Sequence, residues 1–548
     1  MKNFFKSNWV LLLILALALF FRFWQIGHLP GGLFPDEAAN GLDVNSILHG
    51  HLQPFYERGN GREALFFYFE AFSVLLFGPG VWQFHIVSAA FGFAAVLAAY
   101  FLAKKMFGKR VALLSALFMA VSSYAVIISR TAFRANAVPL FSTLTLLFLV
   151  KFFSAQGGQN SKEKYWSAAL AGISFGLGFY TYISFRMMLP LVVGFLIILA
   201  IGFRSELREK WREYAKYKAA FIAAFLLAIS WIAVYFIQNP KSFVGRAGGV
   251  SVFNEELNHG DLIGTIILVF KKTFLSFFTH GDIIWRHNVS GFPFLSPLLS
   301  PFFALAVIWF TISLFRLLKQ VWDQKIQEQT VYQALLACWF WFMLVPELAT
   351  AEGIPHGLRL TGVIPVIFIL AAWGVNWFWE RMPHKDYLKA EKTLVAVIFV
   401  SGLIIYNFLL YFGLAASSAG YYYAFRSDLT DVSNYLNQRN MKDRTYLTLD
   451  TFSVQTTDYL TTDFNQPYIL VDPAHAFEVK LKTGDQVVFT MSTLFDSKKF
   501  CESHPTAKLV QKNVNQFGLV SMAVYEDRNI SGDVCEPSGN PGFNTNPS

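Results

Sequence analysis

The chain has 548 residues, of which 54% are hydrophobic and only 15% charged, with a formal net charge of +9. Soluble domains carry about 25% charge, so this chain cannot clothe ordinary soluble domains, and its 59 Phe exclude disorder. Three Cys exclude a disulfide scaffold and a multi-Cys zinc or iron–sulfur centre, which leaves a polytopic membrane protein.

Eleven apolar stretches approach the length a spanning helix needs. They lie at about 9–23, 81–103, 111–128, 137–150, 165–183, 187–203, 219–237, 295–315, 331–350, 360–379 and 393–412. The first follows a basic start, Lys2 and Lys6, and ends Phe20-Phe21-Arg22-Phe23-Trp24 without a small-residue cleavage pattern. It therefore reads as a retained anchor. Pro139 falls in the first turn of the fourth stretch, where a missing N–H costs nothing. With the N-terminus cytoplasmic, the inside segments hold 22 Lys and Arg in 72 residues, and the outside loops 11 in 134. That asymmetry is what positive-inside orientation demands, so the basic balance needs no nucleic acid. An odd number of spans puts the C-terminus outside.

The first outer loop, 24–80, begins Gly31-Gly32-Leu33-Phe34-Pro35-Asp36-Glu37-Ala38. Two adjacent carboxylates at a membrane surface suit acid–base work: one as general base on an acceptor hydroxyl, the other holding a metal or orienting a sugar. Pro, Asp and Glu equally suit a plain helix start. Further on, a Gly/Asn turn delivers Arg62 and Glu63 to the start of a surface-lying helix over 63–77. A cation at headgroup depth suits a lipid-linked phosphate, or simple snorkelling.

Arg130 and Arg134 follow the third span, and a spacing of four puts both on one helix face. Tyr182 and Arg186 end the fifth span on the outer side, where aromatic-belt anchoring is the other use. The second long loop, 238–294, carries an interrupted apolar stretch at 262–278. After it come His280-Gly281-Asp282 and Arg286-His287-Asn288. These are ligand types for a divalent metal, but their spacing matches no metal motif, and no metal site is assigned. The loop over 351–359 reads Glu352-Gly353-Ile354-Pro355-His356-Gly357-Leu358-Arg359, shortly after Glu347. His356 and Arg359, three apart beside Gly and Pro, suit a phosphate clamp.

From about 420 the composition turns polar. Strands are predicted at 446–449, 486–491 and 519–525, with an amphipathic helix over 428–438. A small α/β domain follows, holding Cys501 and Cys535, which an oxidising compartment would allow to pair. Asn529-Ile530-Ser531 fits a glycosylation acceptor, and the last dozen residues read as disordered.

Pro-Asp-Glu after the first span, then Gly-x-Arg-x-x-Leu-x-x-Tyr (Gly61, Arg62, Leu65, Tyr68), resembles the dolichyl-phosphate-mannose protein mannosyltransferases. These are glycosyltransferase family 39-like membrane enzymes, whose bacterial branch includes the lipid A aminoarabinose transferases. The resemblance runs from the first span to about residue 380. Where those transferases have Lys-Pro-Pro-Leu, this chain has Arg62-Glu63-Ala64-Leu65: the charge stays and both prolines are lost. The resemblance implies a mainly α, C-type glycosyltransferase (GT-C) fold with about eleven spans over 1–419, and an outer α/β domain over 420–548. It implies a polyprenyl-phosphate sugar donor and inverting transfer to an acceptor hydroxyl of a protein, lipid or glycan. Asp36 would be the base and Glu37 its support. Arg62, Arg130, Arg134, His356 and Arg359 would bind donor phosphate, and Tyr182, Arg186 and Glu63 substrate. The expected setting is a prokaryotic plasma membrane. The competing class is a secondary transporter or lipid flippase, which calls for intramembrane charges at the midplane; here the charges gather at span ends.

Overall fold

The computed structural model describes residues 2–153, 161–245, 248–382, 389–439, 444–461, 468–528 and 534–541. Eight described helices are long and apolar enough to cross a membrane. They are Val81–Phe107, Arg134–Phe153, Ile183–Gly202, Tyr214–Gln238, Ser300–Trp322, Glu328–Leu348, Thr361–Arg381 and Ala390–Ala415. A bent pair, Lys109–Val121 and Ser123–Arg130 at 59°, makes a ninth if counted as one span. The other two expected spans are also helical, as Lys2–Phe23 and Ser161–Gly178. Neither meets the same length and apolarity requirement, so the expected count of eleven stands at eight or nine by that measure.

The bend has a local cause. Ser122 takes an extended ψ of 124°, and its hydroxyl caps the next helix at the Ala125 N–H. Elsewhere small residues let helices close on each other. A Cβ at Gly172 would stand 2.3 Å from the Phe221 carbonyl oxygen, and one at Gly176 2.6 Å from the Ala228 methyl. This Gly-x-x-x-Gly face seats Ser161–Gly178 against Trp211–Gln238, helped by stacking of Phe175 on Phe225. Two predicted surface helices shift slightly. The first runs Leu65–Phe77, and Arg62 sits before it in a short hairpin of β1 (Phe55–Tyr56) and β2 (Arg62–Glu63). The second is Leu262–Leu275, whose 14 residues are too few to span.

Two compact units emerge. One comprises Met1–Trp24, Gln53–Phe69 and Ile86–Gly413. The other comprises Gln25–Leu52, Glu70–His85 and Leu414–Ser548. The second unit thus includes two pieces of the N-terminal region that the simple division near 420 assigned to the membrane part.

The C-terminal sheet has order β4-β3-β5-β7-β6. β3 (Thr445–Thr448) runs parallel to β4 (Ile469–Val471) and β5 (Gln486–Thr490). β7 (Val520–Asp527) is antiparallel to β5 and to β6 (Ala507–Val514). Period-two alternation fills both faces. Val487, Phe489, Ala523 and Tyr525 pack with Phe500 and the Cys501–Cys535 disulfide. Val488, Met522 and Val524 pack with Leu429, Val432 and Leu436 of helix Ser427–Gln438. β4 and β6 escape sequence reading: β4 has three residues, and β6 carries Lys508, Gln511 and Lys512 along the sheet edge. Part of the tail is ordered, because Asn540 accepts the Val520 N–H at 2.7 Å and donates to its carbonyl at 2.9 Å. The glycosylation pattern at 529–531 lies outside the described residues.

Candidate active site

Helix Pro35–Leu48 opens with Pro, Asp and Glu at its first three positions, as both readings of that segment require. The two carboxylates then part company. Glu37 is fully buried; its Oε2 accepts the Phe34 N–H at 2.8 Å, and its Oε1 lies 3.4 Å from His85 Nε2, itself fully buried. Asp36, one position earlier, stays partly exposed. So Glu37 holds the helix start, while Asp36 is only partly buried. His85 escaped the sequence reading. An ionisable residue inside an apolar stretch was the available signal.

In the other unit the hairpin presents Glu63, 2% exposed, between two guanidiniums. Arg134 Nε donates to it at 3.0 Å and Arg186 Nη2 at 3.5 Å. Arg134 lies over the Tyr182 ring, 5.2 Å from its centre, and also donates to the Gly61 carbonyl. Arg186 packs on the rings of Phe243 and Phe236 and donates to the Phe243 carbonyl. The cluster gathers Glu63, Arg134, Tyr182 and Arg186, and two guanidiniums against one carboxylate leave it net positive. Tyr182 here supports a cation rather than lying bare for a sugar. Arg62, 4% exposed, belongs to the same hairpin.

Arg130 does not join them. Its helix ends at Arg130, and Thr131 is extended, so the spacing of four does not place Arg130 and Arg134 on one face. Arg130 is fully buried and donates to the carbonyls of Phe21, Arg22 and Trp24 at 3.1, 2.9 and 2.7 Å. Arg22 reciprocates, donating to Met119 and Ala120 at the Ser122 break. These arginines satisfy helix-end carbonyls that have no intrahelical donor. Arg130 is thus held by helix-end carbonyls, off the face expected to carry it beside Arg134.

A second charged group joins two loops of the same unit. Asp282 accepts the Ile284 N–H on one oxygen. Its other oxygen takes the Gly357 N–H at 2.7 Å and the His287 Nδ1–H at 2.8 Å. The His287 and His356 rings lie 4.4 Å apart. Burial, ahead of the neighbouring Arg286 and Arg359 charges, holds the His287 pKa below its ordinary value despite Asp282. Fully buried Glu347 accepts the His356 N–H at 2.9 Å and lies 3.8 Å from Arg359. Tyr124 closes the group by donating to the Gly357 carbonyl. His356, through its backbone N–H, and Arg359 thus both meet Glu347.

Asp282, His287 and His356 offer three ligand atoms within 4.8 Å of one another. As arranged they do not fit a cation. The His287 and Asp282 atoms share a hydrogen at 2.8 Å. Two ligands of one tetrahedral ion would stand about 3.3 Å apart with no hydrogen between them. Both Asp282 oxygens also already accept N–H groups. Asp282 and His287 form the hydrogen-bonded tie to the Gly357 N–H, and the His356 ring packs on His287.

Residues 64–233 match the family model of dolichyl-phosphate-mannose-protein mannosyltransferase. The resemblance read from the motifs holds. Among solved structures, ArnT from Cupriavidus metallidurans bound to undecaprenyl phosphate aligns over 96% of this chain and 99% of its own. Its TM-score is 0.53 at 13% identity. The archaeal oligosaccharyltransferase AglB from Archaeoglobus fulgidus, in complex with an inhibitory peptide and a dolichol-phosphate, aligns over 95% of this chain and 74% of its own. Its TM-score is 0.53 at 11% identity. No curated protein matches by sequence. The fold is the C-type glycosyltransferase fold, in an integral, multi-pass membrane protein with a small C-terminal sheet.

Proposed function

We propose that the chain is a membrane glycosyltransferase that moves a sugar from a polyprenyl-phosphate donor to an acceptor hydroxyl at the outer face, with inversion. The observation that carries the reading is the pair Asp36-Glu37 at a helix start: one carboxylate fully buried, its neighbour partly exposed beside it. Asp36 takes the proton of the acceptor hydroxyl. The acceptor oxygen bonds to the anomeric carbon as the bond from that carbon to the phosphate oxygen breaks, and the product is polyprenyl phosphate. The phosphodiester becomes a monoester and gains one negative charge, so cations at its oxygens favour the transition state over the ground state. Arg62, Arg134, Arg186 and Arg359 are the cations assigned to this task, with His356 as a further hydrogen-bonding side chain. Full-length likeness to ArnT supports a transferase over a transporter.

The test is release of polyprenyl phosphate by the lipid-reconstituted protein, offered a panel of radiolabelled polyprenyl-phosphate sugars and membrane extract as acceptor source. Release from one donor, with weaker donor binding in Arg359→Ala, is the expected result. No release from any donor, with labelled sugar crossing sealed vesicles instead, would overturn the reading.

A further inference from the structure

The second unit joins the Asp36 segment to the C-terminal sheet domain, and the contacts are specific. Three hydroxyls of the domain donate to backbone carbonyls of the segment leading into the Asp36 helix: Ser427 to Pro30 at 3.0 Å, Thr430 to Gly31 at 3.4 Å and Thr456 to Leu33 at 3.1 Å. Between these ties Gly32 lies flat on the domain backbone. A Cβ there would stand 2.5 Å from the Phe425 carbonyl oxygen and 2.7 Å from the Ser427 nitrogen. Backbone cannot yield as a flexible side chain can, so this is a seat for glycine. Past Asp36, Gly41 lies on the buried Tyr459 ring, and a Cβ there would meet a ring carbon at 2.5 Å.

The domain side is built to hold this seat. Arg426 has a left-handed φ of 49°, a strained choice for a residue with a Cβ. Both guanidinium edges compensate: Nε and Nη2 each reach Asp428 at 3.0 Å, and Nη1 and Nη2 reach Ser453 and Ser492 at 2.6 and 3.2 Å. That fully paired turn starts helix Ser427–Gln438 at the residue that grips Pro30.

We propose that the C-terminal domain is the mount for Asp36: Ser427, Thr456 and the Gly41–Tyr459 contact are positioning elements that fix where the Asp36 carboxylate stands. This rests on the reading of Asp36 as base. The backbone is clamped three residues before Asp36 and five after it. A misplacement of about 1 Å costs an enzyme about 100-fold in rate.

The experiment measures kcat and donor KM for full-length Thr456→Val, Gly41→Ala, Asp36→Asn and the Gly41→Ala/Tyr459→Leu pair. Loosening the mount is expected to lower kcat at least tenfold with donor KM unchanged. Shrinking the ring in the double variant is expected to restore most of the kcat lost in Gly41→Ala, with kcat taken per folded, donor-binding molecule so that a folding defect does not enter. Unchanged kcat in Thr456→Val and Gly41→Ala, while Asp36→Asn is inactive, would overturn the mount and leave the base reading intact. So would a rise in KM alone, or no rescue by the double variant. An active Asp36→Asn would instead overturn the base reading, and the mount with it.

Discussion

Arg130 and Arg134 stand four residues apart, yet their surroundings answer the cost of burying a cation in opposite ways. Arg130 is enclosed by the carbonyls that end helix Lys2–Phe23. Arg134 leans on the Tyr182 ring and shares the Glu63 carboxylate with Arg186. A guanidinium absorbed by helix-end carbonyls is part of the scaffold. One of two cations sharing a single anion, with 20% of its side chain exposed, leaves its cluster net positive, which is the ground for proposing it as a phosphate ligand.

The comparison can be broken, beginning with the largest effect. Glu63→Ala removes the shared anion and leaves two partly buried arginines opposed. A loss of about 4 kcal/mol is expected from stranding such charges, seen as a lower melting temperature in detergent. Arg130→Ala leaves three helix-end carbonyls without that donor, and a loss of about 3 kcal/mol is expected in the same assay. Donor affinity of the surviving folded fraction should be unaltered; a selective affinity loss would place Arg130 back among phosphate ligands. Arg134→Ala should lower the melting temperature less than Glu63→Ala, because Arg186 still meets Glu63, and should weaken polyprenyl-phosphate binding about tenfold, or about 1.4 kcal/mol.

The smallest effect concerns a buried charge with neither remedy. Asp496 sits among the C-terminal elements, where burial raises its carboxyl pKa to about 6 despite Lys499. The folded domain therefore holds a proton that the unfolded chain releases near the ordinary carboxylate value. Stability is greatest below that value and is lost as pH rises through about 6. Asp496→Asn should flatten this slope in a melting series from pH 4 to 7, chosen to bracket the raised value.

Much of the membrane part was legible because apolar runs of helical length report directly on burial in lipid. The Asp36-Glu37 segment was legible because Pro, Asp and Glu at a helix start form a local signal. What was not legible depends on distant partners. Arg130 reads as a binding cation until residues more than 100 positions away supply its carbonyls. Glu37 and His85, or Asp282 and Gly357, meet only after the chain folds. The two-unit division was hidden for the same reason, since nothing local in 25–52 announces its hydrogen bonds to 427, 430 and 456.

The most direct test of the central claim is a single-turnover measurement of sugar transfer by wild type and Asp36→Asn, with donor binding measured separately on the same preparations. The account predicts that Asp36→Asn binds donor nearly as wild type does and releases no polyprenyl phosphate. Transfer by Asp36→Asn at close to the wild-type rate would contradict it.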